Sequence, residues 1–328
     1  MKAAFYERTG PAADVLQLGE LPDPQPQRGE VRVRLRWSGV NPSDVKSRAG
    51  LRSRVMPFPR ITPHSDGMGL IDALGDGVDT ARIGQRVWTW NAAWGRPAGT
   101  AAQYVVLPAA QAVPMPDSVP DVAGACFGIP ALTALHAVLV AGGVTGKSVL
   151  VAGGAGAVGH YAIQFARLAG AAQVIATVST ETKAEVARAA GADAVIRYRD
   201  ENVAERVMAL TGGRGVERLI EVDIAANAAA HHGALANGAD WVVYGSGAPN
   251  FTLPFFPMIS RNVSLRCFIV YHLDAADRRR AEDTLRAWLE RGVLQHLIAA
   301  RLPLERIAEA HQLVERGAVV GNVVVEIP

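Results

Sequence analysis

A glycine-rich turn between an apolar strand and an apolar helix constrains this chain more than any other feature. Residues 148–160 read Ser-Val-Leu-Val-Ala-Gly-Gly-Ala-Gly-Ala-Val-Gly-His. The run 149–151 has the unbroken apolar character of a buried parallel strand. Residues 158–168 space their apolar side chains as a helix does, and a second apolar run, 174–178, follows Gly170. Strand, turn, helix and strand in that order form the unit that holds a dinucleotide. Gly154, Gly156 and Gly159 fit G-x-G-x-x-G. Gly154 is expected to allow the tight turn, Gly156 to let the backbone approach a pyrophosphate, and Gly159 to let the helix pack close to the sheet. The helix start at Ala157 and Val158 then offers N–H groups and a positive dipole end to phosphate. A tight turn without a ligand uses the same glycines, so the order of the elements carries the argument.

The tip of the second strand discriminates between the nicotinamide cofactors. A site for NAD usually places Asp or Glu there, to accept from the ribose 2′-hydroxyl. Here the strand ends Thr177-Val178-Ser179-Thr180, with Lys183 one helical turn on. Hydroxyls and a cation suit a 2′-phosphate, which predicts NADPH. Tyr198, after the apolar run that begins at Ala194, is placed to flank the adenosine, and Glu181 is expected to face solvent. Ser179 and Thr180 also have the chemistry to cap the helix 181–190.

At 328 residues the chain is too long for one ordinary core, so two domains are expected. A net charge of +2 gives no electrostatic reason for a nucleic-acid or membrane partner. Two cysteines, Cys126 and Cys267, can make neither a disulfide framework nor a four-thiolate zinc site, which fits a reducing cytoplasm. The N-terminus lacks the apolar core of a signal peptide. Residues 123–143 are almost wholly apolar but contain Pro130, Thr133 and His136, and read as a buried helix rather than a membrane span. The run Arg278-Arg279-Arg280 reads as a solvated helix face.

Residues 1–120 look β-rich. Val31 to Trp37 alternate strictly, as in a half-buried strand. From Ala123 to about Gly247 helices and strands alternate, with strands expected at 149–151, 174–178, 194–196, 218–221 and 241–244. A further strand is expected at 263–268, a helix at 281–291 and a closing strand at 323–327. The expected boundaries are 1–123 and 266–328 for a β-rich domain, and 124–265 for a nucleotide domain inserted in it.

These residues resemble the zeta-crystallin-like quinone oxidoreductase group of the medium-chain dehydrogenase/reductase superfamily. The markers are Asn41-Pro42-Ser43-Asp44 with Arg48-Ala49-Gly50, and Pro63-His64-Ser65-Asp66-Gly67-Met68-Gly69. Leu132-Thr133-Ala134, the stretch 149–159, Ala162-Ile163-Gln164, and Gly191-Ala192-Asp193 through Tyr198 complete the pattern. The resemblance implies an α/β protein with a GroES-like substrate domain, a Rossmann doubly wound parallel-sheet domain, and a cleft between them. It places Asn41 and Thr133 beside the nicotinamide. It brings Val222, Tyr244, Gly245, Ser246, Phe268, Ile269, Val270 and Asn322 to the cofactor.

Zinc enzymes of this superfamily have Cys where Asn41 stands, and Gly-His-Glu where this chain reads His64-Ser65-Asp66. Amide and hydroxyl are poor zinc ligands, so no metal is expected. His64, offset by one position, is read as a polar residue near the cleft, and His231-His232 as a surface pair. Without a Lewis acid the acceptor must already be electron-poor, such as a quinone or an α,β-unsaturated carbonyl, with hydrogen-bond donors for its oxyanion. Asn41 is the expected donor, although a structural turn before Pro42 explains it equally well; Asp44 is expected to hold its loop. Two tyrosines of the quinone reductase pattern are replaced by Lys46 and Arg52, either of which could donate to an oxyanion or attract an anionic substrate. Trp94 is the better candidate to wall a substrate slot, Trp88 being equally explained by core packing.

The expected function is therefore an NADPH-dependent, zinc-free reductase of quinones or reactive enones. An enoyl thioester reductase is the enzymatic alternative, and an NADPH-binding structural or regulatory protein the non-enzymatic one. Pairing of the edge strand 263–268 across a two-fold axis predicts a homodimer.

Overall fold

The computed structural model describes residues 1–317 and 319–328. It divides into two compact units, Met1–Pro130 with Arg286–Pro328, and Ala131–Leu285. The chain leaves the first unit near residue 130 and returns near 286, later on both counts than the expected 123 and 266. The late return has a structural reason. Ser264–Cys267 is the last strand of the second unit's sheet, and the segment after it stays with that unit.

Among the described residues, fifteen strands are numbered in chain order. The first unit holds β1 (Lys2–Phe5), β2 (Gln17–Glu20), β3 (Glu30–Val40), β4 (Asp66–Leu74), β5 (Arg86–Thr89), β6 (Tyr104–Pro108) and β7 (Ala112–Pro114). After the return it gains β14 (Ile298–Pro303) and β15 (Asn322–Glu326). The order β14-β15-β3-β4-β5-β7, with β6 also on β3, makes a mostly antiparallel sheet. In β3, Val31, Val33 and Leu35 are buried while Arg32, Arg34 and Arg36 point outward, as the alternation predicts. Those side chains join Val105, Leu107, Val323 and Val325 in the core.

The second unit holds β8 (Ser148–Val151), β9 (Gln173–Val178), β10 (Ala194–Arg197), β11 (Val216–Glu221), β12 (Leu235–Val243) and β13 (Ser264–Cys267). All pair in parallel, in the order β10-β9-β8-β11-β12-β13. This is the doubly wound order, with its switch point between β8 and β11, where ligands of such sheets bind. Leu150, Ile175, Ile196, Leu219 and Trp241 form its interior.

Three local expectations are corrected. Residues 123–143 are not one helix: Asp121–Gly124 is followed by a π-type turn, Phe127–Ala131, and then the helix Leu132–Leu139. Pro130 has no N–H to give, and Gly128 sits so close to β4 and β5 that a Cβ would lie 2.3 Å from Asp66 Oδ1 and 2.6 Å from the Thr89 carbonyl. Arg278 is not solvated; it is buried and donates to the Val270 carbonyl at 2.8 Å. His231 is not on the surface; it is buried, with Nδ1 2.7 Å from Glu221 Oε2.

Among the described residues, no helix is long and apolar enough to cross a membrane. A buried cation ties the second unit together. Arg218 on β11 is fully buried and donates to the carbonyls of Ala137 (2.6 Å) and Val140 (2.9 Å) at the end of the helix Leu132–Leu139. Asp240 balances its charge at 3.4 Å and also accepts from Arg266 at 2.8 Å. Arg218→Met is expected to cost about 2–4 kcal/mol, because buried carbonyls and a carboxylate lose their donor. Urea unfolding measures it; a loss below 1 kcal/mol would mean that the helix end is satisfied without the guanidinium.

Candidate functional site

The glycine loop of the second unit lies between β8 and the helix Ala157–Leu168, at the switch point of the sheet. The left-handed residue is Gly153, at φ +70°, and not Gly154. Gly154 instead faces Ala176 and Ile163, where a Cβ would meet carbons at 2.8 and 2.9 Å. Gly159 lies on the loop itself, with a Cβ position only 2.2 Å from the Gly153 carbonyl. Gly156 is the N-cap and has no side-chain cap; a Cβ there would meet only the Gly153 carbonyl, at 3.3 Å. The space is open where a phosphate would approach the first-turn N–H groups of Ala157 and Val158. This cradle fits a dinucleotide pyrophosphate.

Thr177 is buried, and its hydroxyl accepts from Gly153 N–H at 3.3 Å while its carbonyl accepts from Gly154 N–H at 2.9 Å. It shapes the loop from the neighbouring strand. Thr180 caps the helix Glu181–Ala189 by accepting from Lys183 N–H. Ser179 and Lys183 are partly exposed at this tip. Glu181 is engaged by Arg188 at 2.7 Å and Arg197 at 3.7 Å. Tyr198, 49 % exposed, donates its backbone N–H to Val178, which puts it beside the tip of β9.

The ends of β11 and β12 meet across one loop. Gly245 would drive a Cβ to 2.1 Å from the Val222 carbonyl, so no larger residue fits there. Asp223 caps the helix Ile224–His231 and accepts from Gly247 N–H at 2.7 Å. Val222 stays 39 % exposed, Tyr244 donates its backbone N–H to the Glu221 carbonyl, and the Ser246 hydroxyl donates to the Ala248 carbonyl. Phe268 follows β13 and packs on His136 at 4.5 Å between ring centroids; Ile269 leads into the buried Val270. Thr133 is buried in the first turn of the helix Leu132–Leu139.

In the first unit, Asn41 is the N-cap of the helix Pro42–Arg48 and only 3 % exposed. Its Nδ2 donates to Asp66 Oδ2 at 2.9 Å, and its backbone N–H to Asp44 Oδ2 at 2.8 Å. Asp66 Oδ2 also accepts from Ile129 N–H at 3.0 Å, whereas Oδ1 is buried without a partner. Burial pushes the Asp44 carboxyl up to about 7 and Asp66 well above the usual range; Asp44 adds to the latter. The two N–H donors on Oδ2 favour the charged form, and burial, helped by Asp44, outweighs them in the direction of the neutral acid. Lys46 on the same helix is half-buried, and Arg52 beyond it is exposed. Trp94 is 37 % exposed, whereas Trp88 is buried edge-on against Phe127. Asn322 is buried, and both its backbone N–H and its Nδ2 donate to the Leu297 carbonyl. That side chain is committed to the carbonyl just before β14, so its expected cofactor role has no support in its hydrogen bonding.

Sequence reasoning missed a chain of hydrogen bonds beneath this corner. Thr100 donates to the Asp66 carbonyl at 2.6 Å, which can only accept. Thr100 must then accept from Ser38 (2.7 Å), Ser38 from His64 Nδ1 (2.8 Å), and His64 Nε2 from His311 Nε2 (2.9 Å). Both rings are thereby neutral and in opposite tautomers. His64 holds φ +77° to reach this position. A motif scan cannot see it, because His64 and His311 lie at opposite ends of the sequence.

Among the described residues no group of three His, Cys, Asp or Glu side chains could hold a metal. Asn41 and Asp66 hydrogen-bond one another, and His64 spends both ring nitrogens on Ser38 and His311. This donor set does not fit zinc.

Residues 27–117 match the family described as alcohol dehydrogenase GroES-like domain, and 157–288 the one described as zinc-binding dehydrogenase. The curated quinone oxidoreductase of Lama guanicoe is 30% identical, and that of Homo sapiens 29%; each match covers 95% of this chain and 93% of the relative. A segment amounting to 14% of a phenolphthiocerol/phthiocerol polyketide synthase chain of Mycobacterium tuberculosis is 28% identical over 96% of this chain. Among solved structures, one titled an NAD-dependent alcohol dehydrogenase is 32% identical with a TM-score of 0.91, covering 100% of both chains. A mycobacterial protein complexed with NADPH is 28% identical with a TM-score of 0.87, covering 99% of both.

The buried acids and imidazoles give opposing pH dependences. Burial lowers His64 to about 3 and His311 well below its ordinary value of 6.5. The unfolded chain binds those protons first, so their contribution is full above about pH 6.5 and is lost as pH falls toward 3. Asp44 works in reverse: its contribution is full below 3.8 and is lost as pH rises through about 7. Asp44→Asn keeps a neutral acceptor for Asn41 N–H and removes the second slope. Its melting temperature is expected to climb more steeply than the wild type's from about pH 4 to 7. Parallel thermal-unfolding profiles would show that Asp44 does not carry the proton.

Proposed function

Because the chain belongs to the quinone oxidoreductase group of the medium-chain dehydrogenase/reductase superfamily, and is an oxidoreductase that uses a nicotinamide cofactor on small molecules, we propose a finer function. It is an NADPH-dependent, zinc-free reductase of quinones or reactive α,β-unsaturated carbonyls. The observation that carries this reading is the Asn41–Asp66 pair, in which a buried side-chain amide donates to a buried carboxyl oxygen. One Nδ2–H goes to Asp66; the other remains for an oxyanion developing on the acceptor.

The bound cofactor supplies a hydride, and a solvent proton completes reduction of a quinone to a hydroquinone. The protein's residues bind and orient. Asp66 and Asp44 fix the Asn41 side chain and backbone, and Lys46 is a second donor on the same helix. Thr133, Val222, Tyr244, Gly245, Ser246, Phe268, Ile269 and Val270 line the cofactor's path in this reading, and Trp94 with Arg52 the acceptor's. The loop from Gly154 to Gly159 takes the pyrophosphate. The choice of NADPH is supported by Ser179, Lys183 and Tyr198 at the tip of β9. Glu181, the nearby acid, is already neutralised by Arg188 and Arg197.

The likeness to a polyketide synthase segment favours enoyl thioester reduction as the second reading. We also infer a homodimer. All four residues of the edge strand β13 are exposed, and Phe255, Phe256 and Ile259 just before it are 75 %, 76 % and 53 % exposed. A second copy covering this edge would hide both. Free thiols at Cys126 and Cys267 fit a cytoplasmic location.

The test is oxidation of NADPH and NADH in parallel, with 1,4-benzoquinone and a crotonyl thioester as acceptors and a zinc chelator present. NADPH with quinone is expected to turn over fastest, unaffected by chelator. Lys183→Ala is expected to raise KM for NADPH about tenfold more than for NADH, about 1.4 kcal/mol for one lost charge-assisted contact. Inactivation by the chelator would overturn the zinc-free reading, and thioester preference would move the assignment to the second one. Phe255→Asp with Phe256→Asp is expected to sediment as a monomer; an unchanged mass would put any dimer contact elsewhere.

A further inference from the structure

The segment that follows the helix Pro42–Arg48 is cationic and apolar at once. From Pro42 to Arg60 the chain carries Lys46, Arg48, Arg52, Arg54 and Arg60 against a single acid, Asp44. Arg48 is spent on Glu315 and the Gly10 carbonyl, and Arg60 on Glu7 at 2.7 Å. Asp44, the one acid, is buried and accepts from the Asn41 backbone N–H, so it does not face the exposed arginines as a surface partner. Arg52 and Arg54 are exposed, and neither forms an ion pair among the described residues. Leu51 and Val55, on either side of them, are 75 % and 79 % exposed.

This segment is attached to the Asn41 corner. Leu51 N–H donates to the Lys46 carbonyl at 2.9 Å, which fixes its start on the helix that Asn41 caps. The Ser53 hydroxyl accepts from Val55 N–H at 3.1 Å and donates to the Val55 carbonyl at 3.0 Å, which folds the tip. Arg52 acts electrostatically on Asp44, the residue that holds the Asn41 backbone. A neutral ring gains little from two hydrated guanidiniums. An anion gains charge-assisted, bidentate hydrogen bonds from them. Exposed leucine and valine beside those guanidiniums suit an organic anion better than an inorganic one.

We propose that Arg52 and Arg54, flanked by Leu51 and Val55, select electron-poor acceptors that carry an anionic group on an organic body. The anion is a carboxylate or sulfonate on a quinone ring, or the phosphate of a thioester carrier. This specificity rests on the reductase reading above and names the substrate class of that same site.

Two acceptor pairs and one binding measurement test it. The first pair is 1,4-naphthoquinone and its 2-sulfonate; the second is crotonyl-coenzyme A and the uncharged crotonyl N-acetylcysteamine thioester. With saturating NADPH, the ratio of kcat/KM for the charged over the uncharged member is expected to fall about tenfold in the Arg52→Gln, Arg54→Gln double variant. It is expected to recover in Arg52→Lys, Arg54→Lys, and to fall with rising ionic strength in the wild type. A shift confined to the quinone pair assigns a ring-borne acid; a shift confined to the thioester pair assigns the carrier phosphate. A ratio unchanged in both pairs overturns the proposal while leaving the reductase standing. Calorimetric binding of 2-naphthalenesulfonate reads the site without turnover: about tenfold weaker binding to the double variant supports it even if neither pair is reduced. Equal binding in that case overturns it along with the reductase reading.

Discussion

The buried carboxyl of Asp66 is the tie on which the first unit's site depends. Residues 41, 66 and 129 are far apart in sequence, and one oxygen collects a side-chain amide from the first and a backbone N–H from the last. A second connection leaves from the same residue, since the Asp66 carbonyl ends the hydrogen-bond chain from Thr100 to His311. The other oxygen, Oδ1, is buried without a partner, which makes a full negative charge costly here. Burial accordingly raises the carboxyl well above its usual range. The glycine at 128 is part of the same solution, because any side chain there would strike the acid.

The second unit solves a different problem with the same economy of parts. Its loop must present backbone to a phosphate, so side chains hold it from behind. Thr177 reaches from β9 to the loop's N–H groups, and Gly154 lets β9 and the following helix close on it. The helix that carries Thr133 is fixed at its other end by Arg218, from the centre of the sheet. Arg218 in this unit and Asp66 in the first are both fully buried polar side chains that tie separate segments together.

Much of this was legible in the sequence. The parallel strands announced themselves as apolar runs, and the edge strand and the inserted arrangement followed from the change in pattern near residue 123. The glycine spacing was read correctly but its division of labour was not. Only coordinates show that the left-handed turn is at Gly153 and that Gly154 serves packing. The helix expected over 123–143 failed because hydrophobicity has no signal for a π-type turn; Pro130 was visible, but the carboxyl facing Gly128 was not. His231 and Arg278 were placed on the surface because polar residues usually are, and each is buried against a partner that its own charge pattern does not reveal. The opposed imidazoles of His64 and His311 leave no sequence signal at all.

The interrupted first unit has a consequence for how the chain is made. Its central strand β3 is bordered on one side by β15, which lies at the very end of the sequence. During synthesis the end of β3 from Trp37 to Val40 therefore waits, open on one side, until the entire second unit has emerged. The second unit, by contrast, is contiguous and has every strand of its sheet available before β14 exists. Order of emergence thus favours the second unit folding first and the first unit finishing last. The proteins that guard nascent chains would meet this one with the Trp37–Val40 end of β3 still open on one side.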